Sequence, residues 1–223
     1  MHQRKSKKIL IYFFLLLIIS SISNNSINNI TLNKIQKIEI SGLNHNDNYK
    51  LFNQLKNLNL GNIFLINEDE IIKLINSNSL IERYQVFKKY PDTIKINIKK
   101  TKFLAKINEN EKTFLIGSNG KLTPTEKVLD NLPYIFGKPN IEEFLNFKEI
   151  LDMSKFSYNQ IDNLYFFPSK RWDIMLKENI LLKLPNKITI ESLNYLYEFL
   201  EDLNLKNFTI VDYRIKNQII LNE

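Results

Sequence analysis

Catalysis needs a nucleophile with a base, a metal cluster or convergent carboxylates, and this chain offers little of any of them. It has no cysteine, which removes thiol chemistry and thiolate metal sites. Its two histidines, His2 and His45, stand on either side of the apolar run Ile9–Ile22 (ILIYFFLLLIISSI), so no histidine pair is expected to meet. His45 lies in the polar stretch Asn44-His45-Asn46-Asp47 and reads as a solvated turn residue. A cell-wall hydrolase built from this chain would have only a carboxylate pair to use, and no acidic motif stands out. The block Lys99-Lys100-Thr101-Lys102 reads as a strand end in water rather than a phosphate site. These residues point to binding rather than turnover, with no cofactor, no metal and no small-molecule substrate.

Position then depends on the apolar run. The residues before it, Met1–Lys8, include Arg4, Lys5, Lys7 and Lys8 and no acid, whereas Ser23–Asn33 carries no charge. That asymmetry predicts a cytoplasmic N-terminus and export of all that follows. A spanning helix wants about 20 apolar residues, and this run is shorter. Snorkelling lysines and the residues up to Ile27 would lengthen it. Ser21 and Ser23, flanking Ile22, equally suit a signal peptidase. The segment alone leaves anchor and cleaved signal both open.

The chain has 223 residues, 43% of them hydrophobic, enough for real cores. Without disulfides, those cores must hold an exported protein by themselves. Four of the cations behind the formal net charge of +7 precede the apolar run, leaving about +3 for the remainder. That excess is too small to argue for nucleic acid, and no basic stripe interleaved with aromatics occurs.

Periodicity predicts the elements. Ile35–Ser41 reads as a strand stopped by Gly42, and Asp47–Leu58 as a helix with Leu51, Leu55 and Leu58 on one stripe. Asn67 with Glu70 opens a second helix that runs to about Asn76. Arg83–Tyr90 and Thr93–Lys99 follow as strands joined at Tyr90-Pro91-Asp92-Thr93. The second of them alternates Ile94, Ile96, Ile98 against Lys95, Asn97, Lys99. The order is β-α-α-β-β. Beyond it, Phe103–Asn108 and Thr113–Gly117 read as strands, with turns at Ser118-Asn119-Gly120 and an apolar corner at Leu132–Gly137. Asn140–Met153 is a capped helix. Ile161–Phe167, Trp172–Leu176 and Ile180–Lys183 form a meander, with Trp172 expected in the core. Thr189–Leu203 is the last helix, its inner face Leu193, Leu196, Leu200 and Leu203. Phe208–Ile215 and Gln218–Leu221 close the chain.

In this order the motifs resemble the FtsQ/DivIB family of bacterial cell-division proteins. The likeness rests on the basic start with one apolar run, on Ile38-Glu39-Ile40-Ser41-Gly42, and on Val86–Ile96 (VFKKYPDTIKI). It continues through Leu115–Gly120, Leu132-Pro133 with Gly137, and Val211-Asp212-Tyr213-Arg214. Departures include Gly117 where the family usually has Asp, Leu184-Pro185 where Leu-Gly is common, and Ile215 where an aromatic is frequent.

The resemblance implies an α+β protein: a cytoplasmic tail (residues 1–8), a single N-terminal transmembrane anchor (9–27), a tether (28–34), a β-α-α-β-β POTRA domain (35–101) and a mostly antiparallel β domain with two helices (102–223). It implies a single-pass inner-membrane protein held through Ile9–Ile22, its bulk periplasmic, located at the division septum. Its role would be that of a non-enzymatic scaffold binding partners similar to FtsB and FtsL. The expected route is β-augmentation, in which a partner segment adds a strand to an open sheet border. Val211–Ile215 is the candidate edge, with Asp212 and Arg214 on one side and Val211, Tyr213 and Ile215 on the other. Arg214 would meet an acidic partner residue and Tyr213 would anchor the interface. Val211, Tyr213 and Ile215 packing on the last helix is the equal alternative. A cleaved periplasmic POTRA-type protein serving outer-membrane assembly is the other non-enzymatic reading.

Overall fold

The computed structural model describes residues 3–21, 34–126, 131–202, 208–215 and 218–222. The first element is α1 (Gln3–Ser21). Its early positions include Arg4, Lys5, Lys7 and Lys8, so the apolar part begins only at Ile9. At about 1.5 Å per residue, Ile9–Ser21 extends about 20 Å, against a hydrocarbon core of about 30 Å. Among the described residues no helix is long and apolar enough to cross a membrane. This corrects the expected single-pass anchor over 9–27 and the inner-membrane location drawn from it. Positions 22–27 of that span lie outside the described residues.

The N-terminal unit comprises β1 (Lys37–Ser41), α2 (His45–Lys56), α3 (Glu68–Ser77), β2 (Ile81–Lys89) and β3 (Thr93–Lys100). The strands form a three-stranded sheet in the order β1-β3-β2, with β1 parallel and β2 antiparallel to β3. Local chemistry sets the helix starts. The Asn44 side chain accepts from Asp47 N and that of Asn67 from Asp69 N, each satisfying an amide that the first turn leaves free. His45 is the exposed first residue of α2. The helices close over one face of the sheet, where Leu51, Leu55, Ile71, Ile75, Ile94, Ile96 and Ile98 are buried together. Gly42 ends β1 at φ +113°, and a Cβ there would lie 1.7 Å from the Ile98 carbonyl oxygen, so only glycine fits.

The C-terminal unit is a nine-stranded sheet in the order β12-β11-β10-β9-β8-β7-β4-β5-β6. Its strands are β4 (Phe103–Glu109), β5 (Lys112–Gly117), β6 (Leu122–Pro124), β7 (Tyr134–Phe136), β8 (Ile161–Phe166), β9 (Trp172–Leu176), β10 (Leu181–Lys183), β11 (Ile210–Ile215) and β12 (Gln218–Asn222). The β4–β7, β7–β8 and β10–β11 pairs are parallel and the others antiparallel. Periodicity alone left β6 and β7 unread: β6 is three residues ending in a proline, and β7 lies inside the stretch that reads as an apolar corner.

Two helices, α4 (Ile141–Met153) and α5 (Ile190–Asp202), share one core with this sheet. A reciprocal cap starts α4: Glu143 N donates to the Asn140 side chain, and Asn140 N donates to the Glu143 carboxylate. Trp172 is buried, as its sequence context suggested, and stacks on Phe147 with ring centroids 4.6 Å apart. Leu193, Leu196 and Leu200 supply the buried face of α5; Leu203 lies outside the described residues.

A polar joint ties the two sheets together. The Asn119 side-chain amide donates to the carbonyls of Ser79 (2.9 Å) and Ile81 (2.8 Å). Ser118 Oγ donates to Glu82, Thr123 Oγ1 donates to Ser79 Oγ, and Lys121 Nζ reaches the Asn76 carbonyl. Thr101, read from the sequence as part of a solvated strand end, is buried here and contacts Ser118 Oγ. A Cβ on Gly117 would stand 2.5 Å from Asn119 Oδ1 and 2.8 Å from Thr101 Oγ1. The Asn119 carboxamide thus occupies the space a side chain at 117 would need.

Candidate partner-binding border

The C-terminal strands form this surface in a fixed order. β11 pairs in parallel with β10 (Leu182↔Val211, Lys183↔Asp212) and antiparallel with β12 (Val211↔Leu221, Asp212↔Ile220). Val211–Ile215 is therefore not the sheet edge that the sequence suggested. The chain turns back and covers it with Gln218–Asn222, and β12 is the terminal strand.

Alternation along β11 explains most of its side chains. Val211 and Tyr213 are buried; the Tyr213 ring packs 5.7 Å from that of Tyr195 on α5. Asp212 and Arg214 emerge on the other face and form an ion pair. The Arg214 guanidinium, hydrogen-bonded to the carboxylate, holds Asp212 below its ordinary pKa, and the same bond raises that of Arg214. Ile215 breaks the expected pattern. The register slips between Asp212 and Ile215, so three residues of β11 span two of β12. Ile215 is exposed and lines one shallow depression with Asp212, Arg214, Gln218 and Ile220. The expected grouping of Ile215 with Val211 and Tyr213 is corrected by this bulge.

β12 has two unlike faces. Ile219 and Leu221 pack against the core, while Gln218, Ile220 and Asn222 are exposed. Its backbone pairs with β11 on one side and with no strand on the other among the described residues. The surface thus combines an unpaired backbone border, two exposed isoleucines and a half-exposed guanidinium. This arrangement can recruit an extended polypeptide. Sequence reasoning missed Gln218 and Ile220 as site residues; the available signal was that Gln218–Leu221 is the last strand in the chain.

Residues 33–100 match the family model for the POTRA domain, FtsQ-type, and residues 105–214 match that for the cell division protein FtsQ/DivIB, C-terminal. The chain belongs to the FtsQ/DivIB family. The N-terminal unit is its POTRA domain, and the nine-stranded unit is its C-terminal β domain. A similar relative is the cell division protein FtsQ of Rickettsia felis, 26% identical over 197 residues, which cover 85% of this chain and 72% of that protein. The cell division protein FtsQ of Rickettsia typhi is 23% identical over 85% of this chain and 73% of that protein. The major extracytoplasmic domain of the cell division protein DivIB from Geobacillus stearothermophilus aligns with 47% of this chain and 88% of its own at 12% identity, with a TM-score of 0.32. As an FtsQ/DivIB-type protein, the chain is a non-enzymatic scaffold of the division machinery. The C-terminal match stops at residue 214, before β12 begins.

Proposed function

We propose that this scaffold captures partners resembling FtsB and FtsL by adding one of their segments to β12. The observation that carries the reading is the build of that strand. Ile219 and Leu221 seat it on the core, while its far border pairs with no strand among the described residues. Exposed N–H and C=O groups along such a border favour an incoming strand, and the neighbouring side chains select it. Arg214, half exposed despite its bond to Asp212, would meet an acidic residue of the partner, and Ile215 with Ile220 would take an apolar one. Val211 and Tyr213 support the site from beneath by fixing β11 in the core.

Co-purification from cells tests this reading. Wild-type chain is expected to bring down its FtsB-like and FtsL-like partners, and Ile220→Lys or Arg214→Glu to lose most of them. If both variants retain the partners at wild-type yield, the β12 reading fails.

A further inference from the structure

Asn119-Gly120 is the only Asn-Gly pair in a sequence rich in asparagine, and it lies in the turn that makes the joint between the two sheets. Gly120 sits at φ +71°, a conformation that glycine takes without strain. The same lack of a side chain leaves its backbone nitrogen open to the neighbouring carboxamide. In an Asn-Gly pair that nitrogen can attack the asparagine Cγ. The N–Cγ bond forms, the Cγ–Nδ2 bond breaks, and Nδ2 leaves as ammonia with the amide proton of the glycine. Water then opens the cyclic imide at either carbonyl to give aspartate or isoaspartate, with no change of oxidation state.

The closed joint occupies both reacting groups. The Gly120 N–H donates to the Gly117 carbonyl at 2.9 Å. The Asn119 carboxamide is held at both ends: Nδ2 donates to the Ser79 and Ile81 carbonyls at 2.9 Å and 2.8 Å, and Oδ1 accepts from Lys121 N at 3.1 Å. The glycine nitrogen must give up its bond to Gly117 to lose its proton. The carboxamide must rotate off its carbonyl partners to offer Cγ. Both changes require the joint to open.

The product cannot rebuild the joint. An ionised carboxylate only accepts, so an oxygen in place of Nδ2 would face the Ser79 and Ile81 carbonyl oxygens with no proton between them. Glu82, bonded to the neighbouring Ser118 Oγ, adds a second negative charge, and the Lys121 ammonium is already held by the Asn76 and Asn78 carbonyls. Isoaspartate would insert a methylene into the main chain of a turn whose ends, Gly117 and Lys121, bond each other.

We propose that Asn119-Gly120 is a one-way latch between the POTRA and β domains. The closed joint holds off deamidation of Asn119, and deamidation in an opened joint keeps it from closing again. The latch does not depend on partner capture at β12.

The test ages the full chain at mildly alkaline pH and follows aspartate and isoaspartate at position 119 by peptide mapping with mass spectrometry. The same chain unfolded in denaturant is the reference. The folded chain is expected to react at least about ten-fold more slowly, because the reaction waits for local opening. The double variant Glu82→Ala, Thr123→Val removes two ties of the joint and leaves Asn119 and Gly120 in place. It should react several-fold faster than wild type, with an unchanged Trp172 emission showing that the β domain is still folded. Asn119→Asp makes one product directly. It should speed amide exchange by about ten-fold at Thr101 and Lys102, whose N–H groups donate at the joint to the Leu80 carbonyl and to Ser118 Oγ. Equal rates in the folded and unfolded chain, no acceleration in the folded double variant, or wild-type exchange at Thr101 and Lys102 in Asn119→Asp would each overturn the proposal.

Discussion

Arg214 folds back along its own strand onto Asp212. Its Nη2 lies 2.6 Å from Asp212 Oδ2, and its Nε lies 2.9 Å from each carboxylate oxygen. The backbone N–H of Arg214 donates to the same carboxylate. Asp212 therefore aims the guanidinium across the β11–β12 surface and keeps it from swinging free.

This pair sets a pH dependence. In the unfolded chain an aspartate titrates near about pH 3.9, whereas the folded Asp212 carboxyl sits below its ordinary value because Arg214 hydrogen-bonds it. A lowered folded pKa means stability that is complete above the unfolded value and is lost as pH falls through the folded one. Denaturant midpoints of wild type and Asp212→Asn should differ at neutral pH and converge on acidification. A gap that persists unchanged in acid would show that the carboxylate charge is not what stabilises the surface.

Deleting residues 218–223 tests which strand is the functional border. Removal of β12 uncovers β11 and strips Ile219 and Leu221 from the core, so stability should fall by about 2–3 kcal/mol. Partner co-purification should vanish even at temperatures where the truncated chain is folded. Capture retained by the folded truncated chain would mean that β11 itself can receive the partner.

Much of this fold was legible because its signals are local. Asn140 with Glu143 announces a cap, and Ile94, Ile96 and Ile98 against Lys95, Asn97 and Lys99 announce a half-buried strand; both were found as read. The site was less legible because its decisive features are relations between distant or irregular elements. Nothing in Val211–Ile215 reveals that its second neighbour is β12 rather than a partner. A bulge cannot be read from alternation, so Ile215 was assigned to the wrong face. The apolar run drew attention by its composition, but span is set by length, and the apolar part of α1 is too short.

The joint between the two sheets predicts a coupled pair of substitutions. Asn119→Ala removes the donor from the Ser79 and Ile81 carbonyls and should cost about 1–3 kcal/mol. Gly117→Asp, which installs the residue type common in the family, presses its Cβ against Asn119 and Thr101 and should cost about 1–3 kcal/mol. The two costs should not add in the double variant, because removing the Asn119 carboxamide frees the space that the new side chain at position 117 needs. Denaturant unfolding of the four proteins measures the coupling, and strict additivity would mean that the joint relaxes around either change independently.

The core beneath the β domain gives the last prediction. Phe147 stacks flat on Trp172, and Phe144 and Phe166 close around the same indole at centroid distances of 6.3 Å and 4.8 Å. Phe147→Ala leaves a cavity against the indole and should destabilise the chain by about 3–5 kcal/mol. Trp172 is the only tryptophan, so its fluorescence reports on this site alone. The emission of the folded variant should shift to the red as water reaches the ring, with the main unfolding transition moving to lower denaturant. If the transition moved while the folded emission stayed blue, the neighbouring side chains would have collapsed into the space. The loss should then fall toward the lower end of that range, because a site that closes on itself retains part of its packing.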